Sequence, residues 1–148
     1  MNKRPSYRET LSFLIYRAYI QGLAQQRKVL QKEGFDVTPE QLSVMVMLRE
    51  REGMNQRQLG EKSFKDRPNM TRIVRLLVRK GLIERRADEK NRKANLLFLT
   101  DAGREILERI APIIVRTWKS RYAGLGPEEI ESFRKTLKHV VENIEKQL

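Results

Sequence analysis

The 148-residue chain has no cysteine, a single histidine (His139) and a single tryptophan (Trp118). Without cysteine there is no disulfide, no thiolate nucleophile and no thiol-based redox sensor, and one imidazole does not make a histidine-rich metal site. No apolar run approaches the roughly 20 residues needed to cross a bilayer. The polar start MNKRPSYRET lacks the apolar core of a signal peptide, so no membrane partner and a cytoplasmic location are expected. Also missing are a glycine-rich phosphate loop, a nucleophile–base pair and a carboxylate dyad with histidine, which argues against an enzyme and against a cofactor. Internal repeats and low-complexity segments are lacking too, and the length suits one domain with a real core.

Acidic residues are also in short supply, 19 against 31 basic ones, and the deficit is local. Residues 1 to 56 carry 9 basic and 6 acidic side chains, residues 57 to 93 carry 13 and 5, and residues 94 to 148 carry 9 and 8. The surplus of +8 in the middle stretch, against +3 and +1 beside it, is the footprint of a face that binds a polyanion. A charge kept only for solubility would be spread more evenly.

The pattern of apolar residues predicts a mainly helical chain. A long helix is expected from Ser6 to about Lys32, with Leu11, Leu14, Ile15, Ala18, Tyr19, Leu23 and Leu30 on a broad apolar side. Gly34 ends it. Thr38, Pro39 and Gln41 form a capping box for a second helix, which carries Leu42, Val44, Met45, Met47 and Leu48 and stops at Gly53. Asn55 can cap a short third helix around Leu59.

Asp66 and Pro68 then open a helix over about 66–80. Its Met70, Ile73, Val74 and Leu77 face inward, and Asn69, Arg72, Arg75 and Arg79 crowd the opposite side. Gly81 is its stop, and residues 82–86 and 95–99 pair as a two-stranded hairpin with a polar, basic tip. A short helix, a tight turn, a basic helix and a hairpin make a winged helix-turn-helix, whose second helix enters the major groove while the hairpin reaches the minor groove or backbone. Thr100 caps the next helix, which carries Ile106, Leu107, Ile110, Ile113, Ile114 and Trp118 and is expected to bend at Pro112. Ile130, Phe133, Leu137, Val140 and Ile144 give the last helix a coiled-coil-like seam suited to a second copy of the chain.

Two stretches, NMTRIVRLLVRKGLIERR and NRKANLLFLTDAGRE, resemble the recognition helix, wing and following helix of the MarR family of bacterial transcription regulators, and the resemblance spans essentially all of residues 1–148. It implies a winged helix-turn-helix lobe over 38–99, with the wing at about 82–99, and dimerisation helices over 6–34 and 101–148. It also implies a homodimer that binds a pseudo-palindromic site on double-stranded DNA, most often as a repressor, and releases it when a small aromatic or phenolic effector binds. Thiol-based peroxide sensing, known in the family, is ruled out by composition. Two positions depart from the family pattern: Arg75 and Asn91 stand where the family often has aspartate. The alternative reading is a winged-helix module for protein or RNA contacts whose basic face is incidental.

Arg67, Asn69, Thr71 and Arg72 fall in the first turns of the recognition helix, where arginine suits guanine and asparagine suits adenine. Arg75, Arg79, Arg85 and Arg86 suit phosphates, and Asn55, Gln56 and Arg57 can hold a phosphate at the start of the third helix. The resemblance carries Arg92 over as a minor-groove arginine, with Lys90 and Lys93 beside it on the backbone. Tyr16, Tyr19 and Trp118 are the candidates for effector contact.

Overall fold

The computed structural model describes residues 6–89, 91 and 95–148. The chain forms six helices and three strands among these residues: α1 (Leu11–Lys32), α2 (Pro39–Glu50), β1 (Met54–Asn55), α3 (Gln56–Ser63), α4 (Arg67–Arg79), β2 (Ile83–Ala87), β3 (Asn95–Leu99), α5 (Asp101–Arg121) and α6 (Pro127–Glu145). It packs as two compact units, one running to Ile113 and the other from Ile114 to Leu148.

The first helix starts later than its sequence suggests. The Glu9 carboxylate accepts the Ser6 amide at 3.0 Å across a 3-10 turn at Tyr7–Glu9, and Thr10 then takes an extended conformation and accepts the Phe13 amide at 3.3 Å. Two capping signals in tandem thus split what reads as one helix. Thr38 and Gln41 cap α2 reciprocally, as expected. Gln41 is a buried polar side chain, and its Oε1 accepts both the Thr38 amide at 3.2 Å and the Lys80 ammonium at 3.3 Å. Lys80 also bonds the Asp36 carbonyl at 2.6 Å, so the far end of α4 is tied to the start of α2.

The recognition helix α4 is built as its pattern predicts. Asp66 accepts the Asn69 amide at 2.8 Å, and Met70, Ile73, Val74 and Leu77 are buried. At its end, Gly81 has φ +67°, and the amides of Gly81 and Leu82 bond the carbonyls of Val78 and Leu77. That pair of bonds is a Schellman stop, which the left-handed glycine makes inexpensive. The same core takes in Val44, Met45 and Leu48 from α2, Leu59 from α3, Ile83, Leu97 and Leu99 from the sheet, and Leu107 and Ile110 from α5.

The wing is a sheet of three strands instead of the expected two, in the order β1-β3-β2 and antiparallel throughout. Met54 pairs with Leu97 and Asn55 with Leu96, so Asn55 ends a strand and caps α3 at once. A two-residue strand is too short to show the alternation by which strands are recognised.

The turn between α3 and α4 holds Phe64 in the left-handed region (φ 53°, ψ 31°), with its side chain 89% exposed. A left-handed conformation costs a non-glycine residue about 1–2 kcal/mol, and the exposed ring returns no packing. Phe64→Gly is therefore expected to stabilise the fold by about 1 kcal/mol once glycine's extra unfolded-state freedom is subtracted. A denaturation midpoint that fell in this variant would show that the ring is held by contacts in solution.

Helix α5 runs through Pro112 to Arg121 without interruption, and in the second unit Gly126 and Pro127 open α6, where the Glu129 carboxylate accepts the Gly126 amide at 2.7 Å. No helix among the described residues is long and apolar enough to cross a membrane.

Candidate nucleic-acid interface

Between α3, the first turns of α4 and one face of the wing lies an open groove of about 690 Å³. Its rim carries Arg57, Lys65, Arg67 and Arg85, its floor Met70 and Leu97, and Asn55, Gln56 and Asn95 line it as well. One acid, Glu61, enters the lining and pairs with Arg57 at 2.8 Å. Four cations against one carboxylate in a concave surface focus a positive field.

Strand geometry decides which wing arginine belongs to this groove. Side chains alternate across a strand, so Arg85 shares the face of Ile83, whose partner in the register is the buried Leu99, while Arg86 points the other way with Glu84. On that second face, Arg86 pairs with Glu84 and lies 4.3 Å over the Phe98 ring. Of the two wing arginines expected at phosphates, Arg86 thus lies on the outer face of the wing and Arg85 on the face that lines the groove. The clue was in the sequence, since Ile83 and Arg85 share parity and Ile83 is apolar. Lys65, just ahead of the Asp66 cap, is a second groove cation that the helical pattern alone did not single out.

The outer face of α4 adds to the same surface through Arg67. Arg67, Thr71, Arg72, Arg75 and Arg79 are exposed, and Asn69 is half-buried. Arg72 is held by a bond from its guanidinium to Asn69 Oδ1 at 3.0 Å, which aims it along the helix face. Thr71 is engaged with Gln56 of α3 at 2.5 Å. Asn55, Gln56, Arg57, Arg67, Asn69, Thr71 and Arg72 thus come together, while Arg75 and Arg79 continue the charge along α4. Lys90, Arg92 and Lys93, expected at the wing tip, lie outside the described residues.

Residues 37–94 match the model of the MarR family, and that segment contains α2, the helix-turn-helix and β2. This segment of the chain is similar to the MarR family. MarR proteins are transcriptional regulators, and the residues of helices α3 and α4 that line the cationic groove fall within the matching segment. Among similar proteins, the Bacillus subtilis HTH-type transcriptional regulator YkoM is 25% identical over 117 residues, covering 78% of this chain and 76% of its own. A solved structure of a probable transcriptional regulator from Pseudomonas aeruginosa superposes with a TM-score of 0.82 at 27% identity, covering 91% of this chain and 99% of that one. The fold is shared as well by Bordetella bronchiseptica BpsR, described for regulation of its DNA binding by 6-hydroxynicotinic acid. It has a TM-score of 0.84 at 21% identity and covers 94% and 98% of the two chains.

Proposed function

We propose that this chain is a transcriptional regulator of the MarR family, a homodimeric repressor that binds a pseudo-palindromic DNA site and is released by a small aromatic or phenolic ligand. The observation that carries the DNA contact is the continuous cationic surface from Arg57, Lys65 and Arg85 in the groove to Arg67 and Arg72 on the recognition helix. In this reading, Arg72, Asn69 and Arg67 meet base edges, Arg57, Lys65, Arg75, Arg79 and Arg85 meet phosphates, and the wing tip with Lys90, Arg92 and Lys93 meets the flanking minor groove. Residues 38–99 do the reading, and 6–34 and 101–148 supply the dimer contacts.

Support for the dimer comes from each unit taken by itself. On α1, Leu11, Leu14, Ile15, Tyr16, Tyr19 and Ile20 are all exposed, and on α6 Phe133, Val140, Val141 and Ile144 are too. Apolar surface on that scale marks an interaction face. A second copy covers it and places two recognition helices on a two-fold axis, with half-sites spaced by about one helical turn or a multiple of it. Support for an effector is thinner. Tyr16 is 59% exposed, Tyr19 60% and Trp118 51%, so none is consumed by the core of the single chain. BpsR also shows that this fold accommodates regulation by an aromatic acid.

Two measurements test the reading together. Selection of genomic fragments by the purified protein at near-physiological salt should enrich a two-fold-related site near a promoter, and sedimentation should give a dimer at micromolar concentration. The double variant Phe133→Lys, Ile144→Lys should sediment as a monomer and bind that site at least tenfold more weakly, because it loses the linkage between half-sites. Recovery of unrelated fragments, bound only through charge, would put the protein- or RNA-module reading ahead, and a wild-type monomer would remove the two-fold argument.

A further inference from the structure

The bond between α3 and α4 at the groove's edge has a definite polarity. Thr71 Oγ1 lies 2.9 Å from the Arg67 carbonyl, which can only accept, so the hydroxyl's one hydrogen is spent there. Toward Gln56, 2.5 Å away, the same oxygen must act as acceptor, and the atom facing it must be the amide nitrogen. Amide orientation is often ambiguous, but here the hydrogen-bond chain from Gln56 through Thr71 to Arg67 fixes it. Gln56 keeps its Oε1 and one Nε2 hydrogen, an acceptor and a donor on one planar edge.

That edge discriminates between kinds of DNA group. A phosphate oxygen only accepts, so it would use the donor and face the lone pairs of Oε1. Adenine in the major groove offers the N6 amino donor beside the N7 acceptor, which complements a side-chain amide at both positions. We propose that Thr71 is a positioning residue that locks Gln56 in this one orientation, and that Gln56 reads an adenine. The inference rests on the DNA-binding function above and reassigns two roles within it: Thr71, placed by its helix position among the base-reading residues, holds the reader, and Gln56, placed at a phosphate, does the reading.

The test uses the full-length protein and the site recovered by the wild type, with each adenine of one half-site replaced in turn by 7-deazaadenine. That base pairs normally but lacks N7. The wild type should lose roughly tenfold in affinity at one adenine, the loss expected for half of a bidentate contact. Gln56→Ala should bind more weakly and be indifferent to that replacement. Thr71→Val should lose most of the sensitivity, Thr71→Ser should retain it, and the double variant Gln56→Ala, Thr71→Val should bind no more weakly than Gln56→Ala alone. A merely structural Thr71 would change affinity without changing sensitivity to the missing N7. Two results would overturn the proposal: full sensitivity in Gln56→Ala, or losses that add in the double variant, which would mean that Thr71 touches DNA by itself. If the wild type recovers no preferred site, the DNA-binding function fails first, a result distinct from either of these.

Discussion

Replacing Gly103 by alanine should lower stability by about 3 kcal/mol and the thermal midpoint by about 10 °C, at fixed protein concentration. In an ordinary helix the same change would stabilise by about 1 kcal/mol, because alanine is the better helix former. Here the added Cβ would lie 2.1 Å from the Leu82 carbonyl oxygen and 3.3 Å from a methyl of Leu99. Backbone oxygen cannot swing aside as a side chain can. The carbonyl is also fixed from the other direction, since it accepts the Thr100 amide at 3.2 Å, while Thr100 Oγ1 donates to the Gly81 carbonyl at 2.6 Å and accepts the Gly103 amide at 3.1 Å. Moving α5 away to make room would break bonds to the stop of the recognition helix, so the loss should appear in DNA affinity as well as in melting. A midpoint that stayed level or rose would mean that the first turn of α5 slides freely over Leu82.

Arg72→Ala should weaken binding to the selected site by at least roughly 30-fold and leave binding to unrelated DNA nearly unchanged. An arginine at a base edge is worth about 1–3 kcal/mol of discrimination, and in the proposed dimer the loss applies at both half-sites. Asn69 Oδ1 already orients the Arg72 guanidinium, so little ordering remains to be done on binding. Arg85→Ala should behave differently. It removes a groove charge, so it should weaken binding to all sequences alike and reduce the steepness of the salt dependence by about one counterion per protomer. Arg86→Ala, on the far face of the wing with Glu84 and Phe98, should do little to either measure. Equal effects from Arg85 and Arg86 would contradict the placing of DNA in the groove.

The contrast between those two arginines shows how far the sequence could be read. Helix α4 was legible almost to the residue, because a capping aspartate, a four-residue apolar stripe and a stop glycine all agree with one another. So was the capping box of α2. Strand β1 was not, because two residues carry no period and their pairing partner lies more than 40 residues away. The start of α1 was misread because two capping signals, Ser6 and Thr10, compete within five residues and only the packing decides between them. Composition located the positive charge in the middle of the chain, but it could not say which cations share a concave face. Arg85 and Lys65 needed the strand register and the α3–α4 turn to be known. The role of Thr71 was out of reach for a different reason: its partner, Gln56, is 15 residues distant and on another helix.

The register of β2 against β3 also sets which length changes the wing can survive. Insertions between Ala87 and Asn95 leave the paired residues where they are, and a longer closed loop costs little entropy, so variants that differ there should fold alike. A single deletion within β2 is another matter. Loss of Ile83, for example, would move Arg86 to the inner face and Arg85 outward, separate Glu84 from Phe98, and put the Glu84 carboxylate in the buried place beside Leu99. Proteins related by descent should therefore vary freely in the length of the wing's tip and hardly at all in the length of its strands.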